Sequence, residues 1–173
     1  MTLERLWAGW RAQYIEDPAG RDGGCVFCRI LASGEPDEAT YVVWRSDRAA
    51  ALLNAYPYVS GHVMVMPVRH VAEIEDLDTG EARALWSAVG DAVRAVKAAY
   101  SPDGLNVGAN LGEGAGAGLP GHLHVHCLPR WRGDTNFMTA VAETRVLPEA
   151  LPATWSRLRG AWPAPPGGGE AAG

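Results

Sequence analysis

The stretch TYVVWRSDRAAALLNAYPYVSGHVMVMPVRH, residues 40–70, decides the fold. Three apolar runs, near 40–45, 49–54 and 62–67, are separated only by RSDR and by AYPYVSG. Runs of this length, bounded by Asp, Pro, Ser and Gly, read as strands and turns. A parallel crossover needs about a dozen residues or more, so links this short demand an antiparallel meander.

The next segment, DLDTGEARALWSAVGDAVRAVKAAY, residues 76–100, changes period. Leu85, Trp86, Val89, Val93 and Val96 form one apolar stripe at helical spacing. Asp78 can cap this helix, with Glu81 three residues on as a capping box requires, and Pro102 lies just past its end. GLNVGANL (104–111) reads as a fourth strand, GEGAGAGLPG (112–121) as a glycine-rich loop, and HLHVHCLPRW (122–131) as a fifth strand by strict alternation. LPEALPATWSRLRGAW (147–162) suggests a last helix interrupted by Pro152. Toward the N-terminus, Leu3, Leu6, Trp7, Trp10 and Tyr14 are helically spaced, and EDPAGRDGG (16–24) is a loop. PAPPGGGEAAG (163–173) has too little apolar surface to pack and reads as a disordered tail. The expected architecture is α+β: a mostly antiparallel five-stranded sheet with one long helix packed on a face and a short C-terminal helix. An N-terminal arm and loop occupies 1–24, the domain 25–162 and the tail 163–173.

A chain of 173 residues with 47% hydrophobic content can bury a core without disulfides. Its net charge of −5 offers no broad basic surface, which argues against a nucleic-acid polymer as partner. No apolar run reaches membrane-spanning length and the first residues lack the core of a signal peptide, so no membrane partner is expected and the location is read as cytoplasmic. Cys25, Cys28 and Cys127 are an odd set without a secretion signal, not a disulfide framework.

Only five histidines occur, and three of them, His122, His124 and His126, fall at every second position of 122–126. On a strand they share one face at about 6–7 Å intervals, while Leu123, Val125 and Cys127 turn to the core. A polar strand face does not need imidazoles. Metal binding, nucleophilic attack and acid–base work near neutral pH do. The preceding glycines, Gly116 and Gly118 among them, let backbone N–H groups converge on an anion without Cβ interference. Cys25 and Cys28 have the spacing of a zinc-ligand pair. A redox pair has the same spacing, though no βαβ context surrounds this one, and two plain reduced thiols would look alike.

The pattern His, apolar, His, apolar, His in HLHVHCLP resembles the histidine-triad (HIT) family of nucleotide hydrolases and transferases. LERLWAGWRAQYI, CVFCRI, LLNAYPYVSGHVMVMPVRH, GLNVGANLG and HLHVHCLPRWRGDTNF are similar to the matching blocks of its Fhit-like and bacterial diadenosine tetraphosphate phosphorylase branch. The resemblance implies a HIT-like fold, a homodimer whose two sheets join, and a nucleotide substrate such as diadenosine tetraphosphate. It implies that His124 is the nucleophile that forms a covalent nucleotidyl-histidine, resolved by water or phosphate. It implies that His126 and His62 stabilise the phosphate, that Asn54 lines the nucleoside pocket, and that Asn110 lies on the phosphate side. Asn106 holds the loop or the catalytic strand in such a site. For Asn54 and Asn106, turn or strand-end hydrogen bonding is the plainer alternative. A structural Zn²⁺ is implied on Cys25, Cys28, His70 and His122, with Cys127 left in the core. The sequence departs from the family where Ser or Thr usually precedes the triad, at Gly118 and Leu119. A nucleoside phosphoramidase and a non-catalytic nucleotide-binding sensor are the alternative functions.

Overall fold

The computed structural model describes residues 24–134 and 149–164. The helical spacing at 3–14 and most of the tail lie outside the described residues. Among them, α1 (Val26–Ala32) and the single turn α2 (Asp37–Thr40) lead into β1 (Val42–Arg45), β2 (Ala49–Leu53) and β3 (Val63–Pro67). Then come α3 (Thr79–Tyr100), β4 (Gly104–Gly108), β5 (Val125–Arg130) and α4 (Leu151–Ala161). The five strands form one sheet in the order β1-β2-β3-β5-β4, every pair antiparallel. This is the expected meander, extended by a strand pair that arrives after the long helix.

Alternation sorts the strands onto two faces. Ala49, Ala51 and Leu53 of β2, Val63 and Val65 of β3, and Leu123, Val125 and Cys127 meet Leu85, Val89, Ala92 and Val96 of α3. Each Leu or Val fully buried there is worth about 1.5–3 kcal/mol. The opposite face carries Leu52, Met64 and Met66, covered by Phe27 of α1. α3 starts with the full capping box. The Asp78 carboxylate accepts from the Glu81 N–H, and the Glu81 carboxylate accepts from the Asp78 N–H. α4 docks on the edge strand β1. There, Trp155 Nε1 donates to the Val42 carbonyl at 2.8 Å, Arg159 to that of Val43 at 2.6 Å, and Trp162 stacks on Trp44.

Two expectations are corrected. Pro152 does not interrupt the last helix. It sits in the first turn of α4, where an N–H would have no partner and its fixed φ fits. The fifth strand begins at Val125, not His122. Its partner β3 ends at Pro67, which has no N–H to continue the ladder. The chain before Val125 bends instead, and Leu123 N–H bonds the Val71 carbonyl at 2.7 Å.

Candidate active site and metal centre

The face of the sheet away from α3 gathers all five histidines. His126 stands on β5 opposite Met64 of β3 and Gly108 of β4. His62 ends the turn before β3, and its Nε2 lies 2.9 Å from His126 Nδ1. His124 precedes β5, with its ring centroid 4.9 Å from that of His126. His122, His124 and His126 do share a side, although only His126 is on a regular strand. Phe27 touches both His122 and His124 edge-on, at 5.5 and 5.2 Å.

The hydrogen bonds fix which ring nitrogens carry protons. His124 Nδ1 is 2.8 Å from the His122 carbonyl. A carbonyl only accepts, so Nδ1 bears the hydrogen and Nε2 keeps its lone pair. The Tyr58 N–H donates to His62 Nδ1 at 3.2 Å, which leaves the hydrogen on His62 Nε2. That hydrogen points to His126 Nδ1, so His126 carries its own on Nε2. A relay of fixed donors therefore runs from the Tyr58 backbone through His62 to His126. Burial lowers the pKa of His124, against the opposing bond to the His122 carbonyl. Burial, then the neighbouring His124, push that of His126 down to about 4. An unprotonated nucleophilic nitrogen thus sits beside a neutral N–H donor at pH 7.

His122 turns the other way. Its Nε2 donates to the Pro67 carbonyl at 2.9 Å, presenting Nδ1 to Cys25 Sγ at 3.2 Å and Cys28 Sγ at 3.6 Å. His70 Nδ1 lies 3.4 Å from Cys28 Sγ. The four donor atoms all fall within 4.8 Å of one another. Tetrahedral Zn–S and Zn–N bonds place sulfur and nitrogen about 3.5 Å apart, so the donor set fits zinc in type, number and spacing. Burial, then the hydrogen bond with Cys25, raise the pKa of Cys28, so a cation is what would hold Cys28 as a thiolate. α1 explains the spacing: Cys25 caps it, Cys28 follows one turn on, and Phe27 between them enters the core.

The polar residues divide. Asn54 Oδ1 accepts from the Tyr56 N–H at 2.9 Å, so its oxygen serves the turn. Asn110 Nδ2 approaches the Gly116 carbonyl at 3.5 Å and supports the glycine-rich loop. Gly116 has φ +87°, in the left-handed region that glycine tolerates. Gly118 is exposed, and Leu119, at the departure from the family pattern, packs against the apolar cluster that contains Phe27 rather than offering a polar contact. Asn106 and Asn110 line a cleft of about 230 Å³ with Tyr58, Gly108, His126 and Leu128. Tyr58 and Phe27 were not singled out by sequence reasoning. Tyr58 lies 4.7 Å from the His62 ring and 6.1 Å from that of His126. Its only sequence signal is an aromatic residue inside a Pro-, Ser- and Gly-bounded turn. Phe27 could have been noticed as the bulky apolar residue between two ligand-spaced cysteines.

A family model described as HIT domain matches residues 35–133, more than half of the chain. A protein of Mycobacterium tuberculosis named AP-4-A phosphorylase is 41% identical over 165 residues, covering 92% of this chain and 85% of that protein. The asymmetrical bis(5'-nucleosyl)-tetraphosphatase of Schizosaccharomyces pombe is 34% identical over 93 residues, 54% of this chain and 50% of that enzyme. Among solved structures, a hypothetical histidine triad nucleotide-binding protein from Sulfolobus tokodaii superposes with a TM-score of 0.64 at 29% identity. The match covers 79% of this chain and 91% of that one.

Proposed function

This chain belongs to the HIT-domain family, and on that premise we propose that it is a nucleotidyl hydrolase or transferase that cleaves dinucleoside polyphosphates of the diadenosine tetraphosphate kind. The observation that carries the reading is the His124 tautomer, whose Nδ1–H is tied to the His122 carbonyl so that the Nε2 lone pair is free beside His126. In the first step His124 Nε2 attacks the α-phosphorus. A P–N bond forms, and the bond to the bridging oxygen breaks with its electron pair, releasing ATP. The His126 Nε2–H, oriented by His62, donates to the phosphate oxygens as charge builds. In the second step water or inorganic phosphate attacks phosphorus, the P–N bond breaks, and AMP or ADP leaves. Asn54, whose amide nitrogen is left over from the turn, faces the nucleoside. Gly116, Gly118 and Asn110 shape the loop at the phosphate, with backbone N–H groups in place of the missing hydroxyl.

Cys25, Cys28, His70 and His122 would hold zinc. With four protein ligands no position stays open, so the metal would supply structure and not Lewis-acid catalysis. It would pin α1 to the sheet and hold His122, whose carbonyl orients the nucleophile. Zinc–thiolate ligation suits the reducing cytoplasm. A second copy fits the sheet edge at β4. The Val42 and Val43 carbonyls of β1 are already taken by α4, whereas Asn106, Val107 and Gly108 of β4 are exposed. Pairing there would join two sheets into one.

The test is product analysis with diadenosine tetraphosphate. Release of AMP and ATP without phosphate, or ADP and ATP with it, is expected. Intact substrate under both conditions, with cleavage of a nucleoside phosphoramidate instead, would overturn the substrate class. Binding without any cleavage would make the chain a sensor.

A further inference from the structure

Arg130 closes β5 opposite Gly104, on the face that carries His126 and Leu128. Its guanidinium is held by Asp134 in a two-pronged pair, Nε to Oδ2 at 2.5 Å and Nη2 to Oδ1 at 2.7 Å. The Trp131 N–H, at 3.2 Å, fixes the same Asp134 carboxylate from the backbone. The remaining Nη1 donates to Asn106 Oδ1 at 3.0 Å. A guanidinium has donors only, so it dictates the amide orientation: the Asn106 oxygen faces Arg130 and the NH₂ faces away.

The direction of that NH₂ matters because Asn106 lines the cleft with His126. Asn106 pairs with Leu128, two residues along the ladder from the Gly108–His126 pair and on the same face. A Cβ at Gly108 would meet nothing within 4 Å, so the space over the strand residue that pairs with His126 is open. His124 lies two residues from His126 in the opposite direction, just before β5. An in-line displacement puts the entering and leaving atoms on opposite sides of phosphorus. With phosphorus over His126 and attack from His124, the bridging oxygen departs toward Asn106.

We propose that Arg130, clamped by Asp134, is a positioning residue that turns the Asn106 N–H donors onto the departing polyphosphate. The inference rests on the reading of the site as a nucleotidyl-transfer centre. When the P–O bond breaks, the bridging oxygen keeps the electron pair and becomes a terminal oxygen of the leaving nucleoside triphosphate. A fixed amide donor at that oxygen favours the transition state over the intact ester.

The experiment compares kcat/KM on two substrates that share the adenylyl group and differ in what leaves: diadenosine tetraphosphate and the p-nitrophenyl ester of AMP. Arg130→Gln and Asn106→Ala should each lower the first by about ten- to a hundredfold, the range of a hydrogen bond to a charged group. The second should fall by less than about threefold, because p-nitrophenolate leaves without such help. The double variant should be no worse than Asn106→Ala alone, because Arg130 acts through that amide. An unchanged thermal melting curve shows that a variant is folded. Should Arg130→Gln fail to fold, Arg130→Lys is read by the same ratio. Equal losses on both substrates, or additive losses in the double variant, would overturn the inference. Cleavage of neither substrate by the unaltered protein would overturn the proposed function as well.

Discussion

His124 Nδ1 and the main-chain carbonyl of His122 are 2.8 Å apart, so the proposed nucleophile is oriented by a member of the cysteine–histidine cluster. Two residues of chain couple that cluster to the nitrogen proposed to attack.

That coupling predicts the effect of metal removal. The purified protein should contain one zinc per chain, and Cys28→Ser should lose it. The variant should melt about 5–15 °C lower, as a structural metal that binds only the folded state requires. It should also lose activity, because the His122 backbone is no longer fixed. Elemental analysis with calorimetry checks the first part. A zinc-free protein with unchanged melting and unchanged turnover would reject the coupling.

A second expectation concerns pH. The His126 pKa is pushed to about 4 from the ordinary 6.5 by burial and then by His124, so its neutral form persists well into acid. Protonation would place a hydrogen on His126 Nδ1, facing the donor on His62 Nε2 at 2.9 Å, and break the relay. The acid limb of kcat/KM should therefore lie clearly below pH 6.5. A limb centred at 6.5 or above would contradict a buried, neutral His126.

Glu81 gives the stability counterpart. Its carboxylate accepts two bonds from Arg69, at 2.6 and 2.7 Å, and one from the Asp78 N–H. Arg69 first, then that N–H, hold its pKa near 2 against an ordinary 4.5. The folded state thus binds the proton less readily than the unfolded state. The stabilisation is present above pH 4.5 and is lost as pH falls toward 2. Glu81→Gln should be less stable than wild type at pH 7, and the difference should shrink on acidification. Urea unfolding at pH 7, 4 and 2.5 measures it, and a gap that widens in acid would refute the assignment.

Parts of this molecule were legible in the chain because local chemistry decides them. Links as short as RSDR permit only antiparallel neighbours, and Asp78 with Glu81 marked the start of α3. The alternation of Leu123, Val125 and Cys127 against the histidines identified the core side correctly. Errors arose where a neighbour overrules the local pattern. Alternation alone extends the last strand back to His122, but Pro67 on the adjacent strand ends the ladder. Pro152 reads as a breaker until its place in the first turn is known. No local pattern brings His70 to Cys28 or Asn106 to Arg130, since chain folding creates those contacts. The spacing of Cys25 and Cys28 showed half of the metal set, family resemblance supplied His70 and His122, and the Arg130–Asp134 clamp emerged only in the folded chain.

Covalent transfer through His124 leaves a nucleotide on the protein, and intact-protein mass spectrometry reads that added mass. Wild type and His126→Ala would be mixed briefly with diadenosine tetraphosphate and quenched without acid, since a P–N bond is acid-labile. An added AMP group is expected on rapidly quenched wild type and on His126→Ala, where loss of a phosphate donor slows both displacements, and no such group once His124→Ala is introduced. Wild-type turnover with no adduct on the slowed variant under single-turnover conditions, or an adduct that survives His124→Ala, would contradict covalent transfer through His124.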